Sequence, residues 1–120
     1  LRLSRGLGDV YKRQFKGFDK IISKKELLYG YHGGEFETSI MLHLHPELIK
    51  INKIKKSKLS SDINSKKIIS YEKTIKRAWN TKDLSETGII GNPTNSSADK
   101  GKKILDLTSR TLKKIINEMK

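Results

Sequence analysis

The sequence predicts a single domain of helices and short strands, and three stretches indicate this. Residues 98–119 repeat apolar side chains at helical spacing, with lysines on the opposite face. Residues 35–45 start after two glycines, repeat apolar side chains every four residues and stop before a proline, as a helix would. Residues 88–91 place two isoleucines between glycines, a pattern typical of a short strand. A chain of 120 residues is long enough for one domain.

The stretch from His32 to Pro46 is the strongest candidate for a functional site. His32 precedes a Gly33-Gly34 turn, where the backbone can bend sharply and approach a ligand closely. Glu35 and Glu37 then fall in the first helical turn, where negative charge suits the dipole. The expected buried stripe of this helix repeats every four residues: Phe36, Ile40 and Leu44. Pattern alone leaves two interpretations open, a catalytic or metal-site corner and a well-capped structural helix, and it favours the second.

The segments on either side of this stretch are weaker in pattern. Ser23 is a candidate N-cap for a short helix over 24–28, and residues 27–31 could form a short strand. Residues 52–67 are rich in Ser, Asn, Asp and Lys, which predicts an exposed loop. Residues 68–79 suit either a helix or a strand.

The last forty residues predict a loop and then a long helix. Residues 81–97 are rich in Gly, Pro, Asn, Ser and Thr, which predicts a loop around the strand at 89–90. Ser96 is the expected N-cap of the helix, with Asp99 three residues later. The apolar stripe expected on this helix comprises Ile104, Leu105, Thr108, Leu112, Ile115, Ile116 and Met119.

Composition limits the functional classes. There is no cysteine, which excludes disulfides and thiolate metal sites. No apolar run approaches the length of a membrane span, so we expect a soluble, cytoplasmic protein. The net charge of +13 permits nucleic-acid binding, but 21 of the 26 basic residues are lysines, whereas base readout favours arginine. The aromatic residues also do not alternate with basic ones as a stacking surface would. We therefore expect a solvated lysine surface and no specific nucleic-acid partner.

Two motifs in the right order identify a family resemblance. Residues 31–51 read YHGGEFETSIMLHLHPELIKI, and residues 79–101 read WNTKDLSETGIIGNPTNSSADKG. The first resembles the run His-(Ala/Gly)-Gly-x-x-Glu-Thr-Ser-x-Met-Leu, followed by x-x-x-Pro-x-Leu, of the creatininase (creatinine amidohydrolase) family. The second resembles that family's segment Asp-Leu-Ser-x-x-Gly-x-x-Gly-(Asp/Asn)-x-Thr-x-x-x-x-x-Lys-Gly, and the closing helix follows as in that family. The resemblance covers residues 15–120. Residues 1–14 instead resemble a translated library adapter, so we expect a non-native segment there.

The resemblance implies an α/β fold, the C-terminal part of a three-layer α/β/α sandwich around a mainly parallel sheet. It implies a metal-dependent hydrolase of non-peptide C–N bonds in small, often cyclic amides, assembled as a homo-oligomer, often a hexamer. A divalent metal (zinc, manganese or iron) would activate the attacking water. His32 would be catalytic and would contact substrate together with Gly33 and Gly34. Glu37 would lie next to the metal or would contact the residues that bind it.

The resemblance also has a gap. The family's main metal ligands lie in a Glu-x-His segment, a following Asp and an Asn-Gly-His segment, none of which is present in this sequence. We therefore expect residues 15–120 to be the C-terminal portion of such a hydrolase, incomplete and inactive alone. Two alternatives stay open. One is a formamidopyrimidine-type deformylase of the same family, and the other is a small basic nucleic-acid-binding protein.

Overall fold

A computed structural model describes residues 16–56, 69–70, 75–76 and 80–119 of the chain. Four α-helices lie in these ranges: α1 (Lys24–Tyr29), α2 (Glu35–Leu44), α3 (Thr81–Leu84) and α4 (Ala98–Glu118). Four 3-10 turns accompany them: Phe18–Lys20, Pro46–Leu48, Ile51–Lys53 and Pro93–Asn95. Strands β1 (Ile69–Ser70) and β2 (Ile75–Lys76) pair in parallel, with Ile69 opposite Ile75. The described part is thus mostly helical, and the sandwich layers and the wider sheet stay predictions.

The bounds of the two principal helices agree with the sequence. Helix α2 begins at Glu35 and ends at Leu44, two residues before Pro46. Helix α4 begins at Ala98 and ends at Glu118. Its N-cap is Ser97, whose hydroxyl accepts the Lys100 N–H at 3.2 Å, so the predicted cap at Ser96 is wrong by one residue.

Two other expectations about local structure are corrected. Ser23 caps α1 as expected, its hydroxyl accepting the Glu26 N–H, but α1 continues to Tyr29. The strand expected over 27–31 is therefore largely helix. The predicted loop over 81–97 contains the short helix α3, which has a capping box between Asn80 and Asp83. Residues 1–14, most of the predicted loop at 52–67 and most of the ambiguous segment at 68–79 lie outside the described ranges.

A small apolar core forms where α1, α2 and α4 meet the Phe18 turn. Phe18, Ile22 and Ile104 are buried at its centre, and Phe36 and Ile40 from α2 pack against them. The rings of Phe18 and Phe36 meet edge to face, with centroids 5.2 Å apart. Such aromatic pairs favour this geometry because a positive ring edge meets a negative face. This core fixes the start of α2, which carries the candidate site.

The buried faces of α2 and α4 differ in part from the predicted stripes. Leu44 is half exposed, and the most buried residues of α2 are Glu35 and Ser39, which face α4. On α4 the first half of the stripe is covered, with Ile104 fully buried. The second half is exposed to 40–81%: Leu112, Ile115, Ile116 and Met119. Within the described ranges, every helix is too short or too polar to span a lipid bilayer.

Candidate active site

His32 has a fixed backbone and an exposed side chain. Its N–H donates to the Ile90 carbonyl at 3.1 Å, and the Ile90 N–H donates back to the His32 carbonyl at 2.8 Å. This isolated antiparallel bridge joins the first motif to the second, and the Ile90 side chain is buried beneath it. The imidazole itself is exposed. An exposed ring on a fixed backbone can meet a small molecule and transfer a proton to or from it.

The two-glycine turn after His32 relies on backbone freedom at its first position. Gly33 has φ of +61°, in the left-handed region that side chains other than Asn and Asp disfavour. The Gly33 N–H donates to a carboxylate oxygen of Glu37, and the Thr38 hydroxyl donates to the Gly33 carbonyl at 3.3 Å. The first turn of α2 therefore holds the glycine turn in place through side-chain contacts.

Glu37, the candidate metal neighbour, uses one carboxylate oxygen for this contact with Gly33. The side chain is half-buried. Among the residues that the structure describes, no three His, Cys, Asp or Glu side chains lie close enough together to hold a metal ion. A catalytic metal site needs about three protein ligands. The described residues thus do not form a metal site by themselves.

Glu26 lies at the centre of this region, although it belongs to neither sequence motif. Its side chain comes from α1 and is buried, with 6% of its surface exposed. One carboxylate oxygen accepts the Glu35 N–H at 2.7 Å, and the other accepts the Asn92 N–H at 2.9 Å. A buried carboxylate is tolerated where such charge-assisted hydrogen bonds compensate its lost hydration. Glu26 therefore connects the start of α2 to the second motif.

Three glycines leave the space that the Glu26 carboxylate occupies. A Cβ atom would lie 1.8 Å from its Oε1 at Gly34, 2.4 Å at Gly30 and 2.5 Å at Gly91. Each distance is far below contact separation, so a side chain at any of these positions would displace the carboxylate. The backbones also approach closely, since a Cβ at Gly91 would lie 2.9 Å from the Gly34 Cα. The glycines of both motifs thus surround one buried acid.

The two motifs make further contacts where α2 crosses α4. Lys100 forms an ion pair with the buried Glu35 carboxylate, and its ammonium also donates to the Asn95 carbonyl at 2.8 Å. Ser39 is fully buried, and a Cβ at Gly101 would lie 2.0 Å from its carbonyl oxygen. Gly101 thereby allows the helices to touch backbone to backbone. The Lys-Gly pair that ends the second motif is explained by these two contacts.

His43 lies in the last turn of α2 and His45 directly after this helix, and both are exposed. His45 Nδ1 lies 3.1 Å from a Glu47 carboxylate oxygen on the surface. The sequence interpretation assigned neither residue to the site. Sequence reasoning missed Glu26, Ser39 and the pairing role of Lys100, because their partners are distant along the chain. The glycines at 30, 34 and 91 were the available signal for close packing around a buried group.

The creatininase family, described as creatinine amidohydrolases, matches residues 6–116 of the chain. The match begins inside the segment 1–14 that the sequence interpretation set aside. No curated protein matches the chain significantly.

Among solved structures, a candidate creatinine amidohydrolase from Bacteroides fragilis NCTC 9343 is similar to the chain. The TM-score is 0.60 at 26% sequence identity, over 83% of this chain and 40% of that protein. The chain thus spans less than half the length of the structure that it matches. The likeness supports the α/β class. Because the family match covers residues 6–116, the chain belongs to the creatininase family.

Proposed function

We propose that the chain contributes the His32 corner of a metal-dependent amidohydrolase that cleaves a non-peptide C–N bond in a small, often cyclic amide. The observation that carries the proposal is the exposed His32 imidazole on a backbone fixed by the bridge to Ile90. Membership of a family of creatinine amidohydrolases supplies the reaction class.

In this proposal His32 moves a proton to the leaving nitrogen as the C–N bond breaks. An unprotonated amide nitrogen would have to leave as a strongly basic anion, whereas a proton delivered to it lets it leave as a neutral amine, and a histidine is suited to this transfer near neutral pH. Gly33 is partly exposed beside His32. A Cβ added at Gly33 would come no closer than 3.6 Å to another residue, the Ile89 side chain, so a substrate could approach the backbone here. Gly34 is buried against Glu26, and we assign it to supporting the turn.

The metal would be zinc, manganese or iron, and most of its ligands would come from residues other than those described here. The assignment rests on the sequence, which lacks the family's Glu-x-His and Asn-Gly-His segments. Because Glu37 already accepts the Gly33 N–H, we assign it a supporting position next to the metal site. The active form would be a homo-oligomer, up to a hexamer, as the family resemblance implies.

The test is a chimera in which this chain replaces the matched 40% of the Bacteroides fragilis protein. Hydrolysis of creatinine to creatine is measured for parent and chimera with Zn²⁺ or Mn²⁺, and after chelation. A formamidopyrimidine serves as the second substrate and tests the deformylase alternative. We expect metal-dependent turnover of a small amide by the chimera. The proposal would be wrong if the parent were active and the chimera folded and bound metal without hydrolysing either substrate.

A further inference from the structure

We propose that Glu26 is a positioning residue for His32, acting through the backbone on both sides of the histidine. The proposal rests on the proposed role of His32 but concerns a residue to which neither the family motifs nor the site assignment gives a function. Glu26 does not need to touch substrate. Its carboxylate would fix the position of the His32 turn relative to the second motif.

The first step of the argument is that Glu26 binds both segments that hold His32. After His32 the chain passes through the glycine turn to Glu35, whose N–H donates to Oε1 of Glu26. Opposite His32 the chain passes from Ile90 to Asn92, whose N–H donates to Oε2. One carboxylate therefore bridges two segments that are 57 residues apart in sequence, counted from 35 to 92.

The second step is that the bridge between His32 and Ile90 is short. It consists of backbone hydrogen bonds from Tyr31, His32 and Ile90, with no flanking ladder in the described residues. An isolated pair of this kind is weak without neighbouring support. The support available on this side is the Glu26 carboxylate, located where Gly34 and Gly91 approach one another.

The third step concerns charge. A carboxylate accepts hydrogen bonds only, whereas an amide in the same shape has one oxygen and one NH₂ group. Glu26→Gln would therefore turn an NH₂ group toward either the Glu35 or the Asn92 N–H, and one link would be lost with little change in volume. Hydrogen bonds to charged groups are stronger than neutral ones. The variant should loosen the attachment of one segment while leaving the apolar core intact.

The test is amide hydrogen exchange and histidine-ring NMR on the full 120-residue chain. In Glu26→Gln we expect the amides of His32 and Ile90, and of whichever of Glu35 and Asn92 loses its link, to exchange about tenfold or more faster. The His32 ring peaks should shift, while those of His43 and His45 serve as internal controls and stay in place. Ile104→Val is the matched control, because it weakens the core without touching the turn.

The proposal is overturned if only the Glu35 or Asn92 amide responds while the His32 amide and ring stay as in the wild type. It is also overturned if Ile104→Val produces the same pattern. If Glu26→Gln unfolds the chain, hydrogen exchange of the wild-type chain at low denaturant concentration is the test instead. The proposal then requires the amides of His32, Ile90, Glu35 and Asn92 to exchange through one shared local unfolding event. Exchange through separate events would refute it. None of these readouts needs hydrolysis, so inactivity toward amides would count against the proposed function and not against this role of Glu26.

Discussion

The buried carboxylate of Glu35, at the first residue of α2, is paired with the ammonium of Lys100, in the first turn of α4. The Glu35 side chain is 4% exposed and that of Lys100 31% exposed. Glu35 lies within the first motif and Lys100 within the second. The same two motifs are also joined by the Ser96 hydroxyl, which donates to the Glu35 carbonyl at 3.3 Å. The two motifs are thus joined by polar contacts on the α4 side of the turn and by Glu26 on the other.

Lys100→Met should destabilise the fold because it leaves the buried Glu35 carboxylate without its ionic partner. Loss of one partner of a buried pair typically costs about 3–5 kcal/mol, and the partial exposure of Lys100 reduces this to about 2–3 kcal/mol. Urea unfolding measures the change. Lys102→Met is the control, since its ion pair with Asp106 lies on the surface, and a much smaller loss of stability than in Lys100→Met is expected there.

A double variant tests whether Glu35 causes the loss. Glu35→Gln combined with Lys100→Met removes the stranded charge, so it should be more stable than Lys100→Met alone. Equal stability of the double and single variants would show that the pair is not coupled.

Gly101→Ala should destabilise the chain although alanine favours helices over glycine by about 1 kcal/mol. The added methyl group would lie 2.0 Å from the Ser39 carbonyl oxygen, which is rigid backbone, so α2 and α4 must separate. Overpacking of this kind typically costs about 1–3 kcal/mol. Ser109→Ala, on the exposed side of the same helix, is the control and should be neutral or slightly stabilising. A stabilised Gly101→Ala chain would show that the helices do not cross this closely.

Gly33→Ala should cost about 1–2 kcal/mol because of backbone conformation and not because of crowding. The nearest atom to a Cβ at this position is an Ile89 side-chain carbon at 3.6 Å, an ordinary contact, but φ is +61°. Asparagine tolerates this conformation better, so Gly33→Asn should retain more stability than Gly33→Ala. Thermal unfolding of the three chains measures the order. If alanine and asparagine behaved alike, a left-handed Gly33 would be excluded.

The pKa of Asp106 should lie below the ordinary value of 3.8, because Lys102 donates a hydrogen bond to it and its positive charge is close. A lowered pKa means that the pair stabilises the fold above pH 3.8 and that this contribution disappears as the pH falls through the lowered value. Carboxyl ¹³C titration measures it. Lys102→Ala should raise the pKa of Asp106 back toward 3.8. In the wild-type chain, high salt should make the lowering of this pKa smaller.

How far the sequence predicts this structure depends on how far apart the interacting residues are. Helices α2 and α4 follow from local signals, namely apolar periodicity, the glycine turn, Pro46 and a Ser-rich start. The orientation of Glu26 does not follow from such signals. Its spacing from Ser23 is typical of a capping box, in which the carboxylate returns to the helix start. Instead it binds N–H groups 9 and 66 residues away.

The same reasoning explains why the most buried residue of α2 was not predicted, although Phe36 and Ile40 pack against the core as expected. Periodicity favours the apolar residues Phe36, Ile40 and Leu44, whereas the closest crossing uses the small residue Ser39 opposite Gly101. A polar residue becomes the most buried one because the backbones are too close for anything larger. His32, in contrast, could be proposed from its motif, since the histidine and the two-glycine turn are adjacent in the sequence.

His32→Ala should reduce amide hydrolysis by the active chimera about 10²–10⁴-fold in kcat, the usual contribution of a general acid or base. Stability should change by no more than about 0.5 kcal/mol, because the side chain is exposed and alanine can make the same backbone bridge to Ile90. His45→Ala is the matched control, because His45 is exposed and its Nδ1 lies beside a Glu47 carboxylate oxygen on the surface. It should retain wild-type turnover. Unchanged kcat/KM in His32→Ala, with the fold intact, would remove His32 from the mechanism and leave the glycine turn as a structural feature alone.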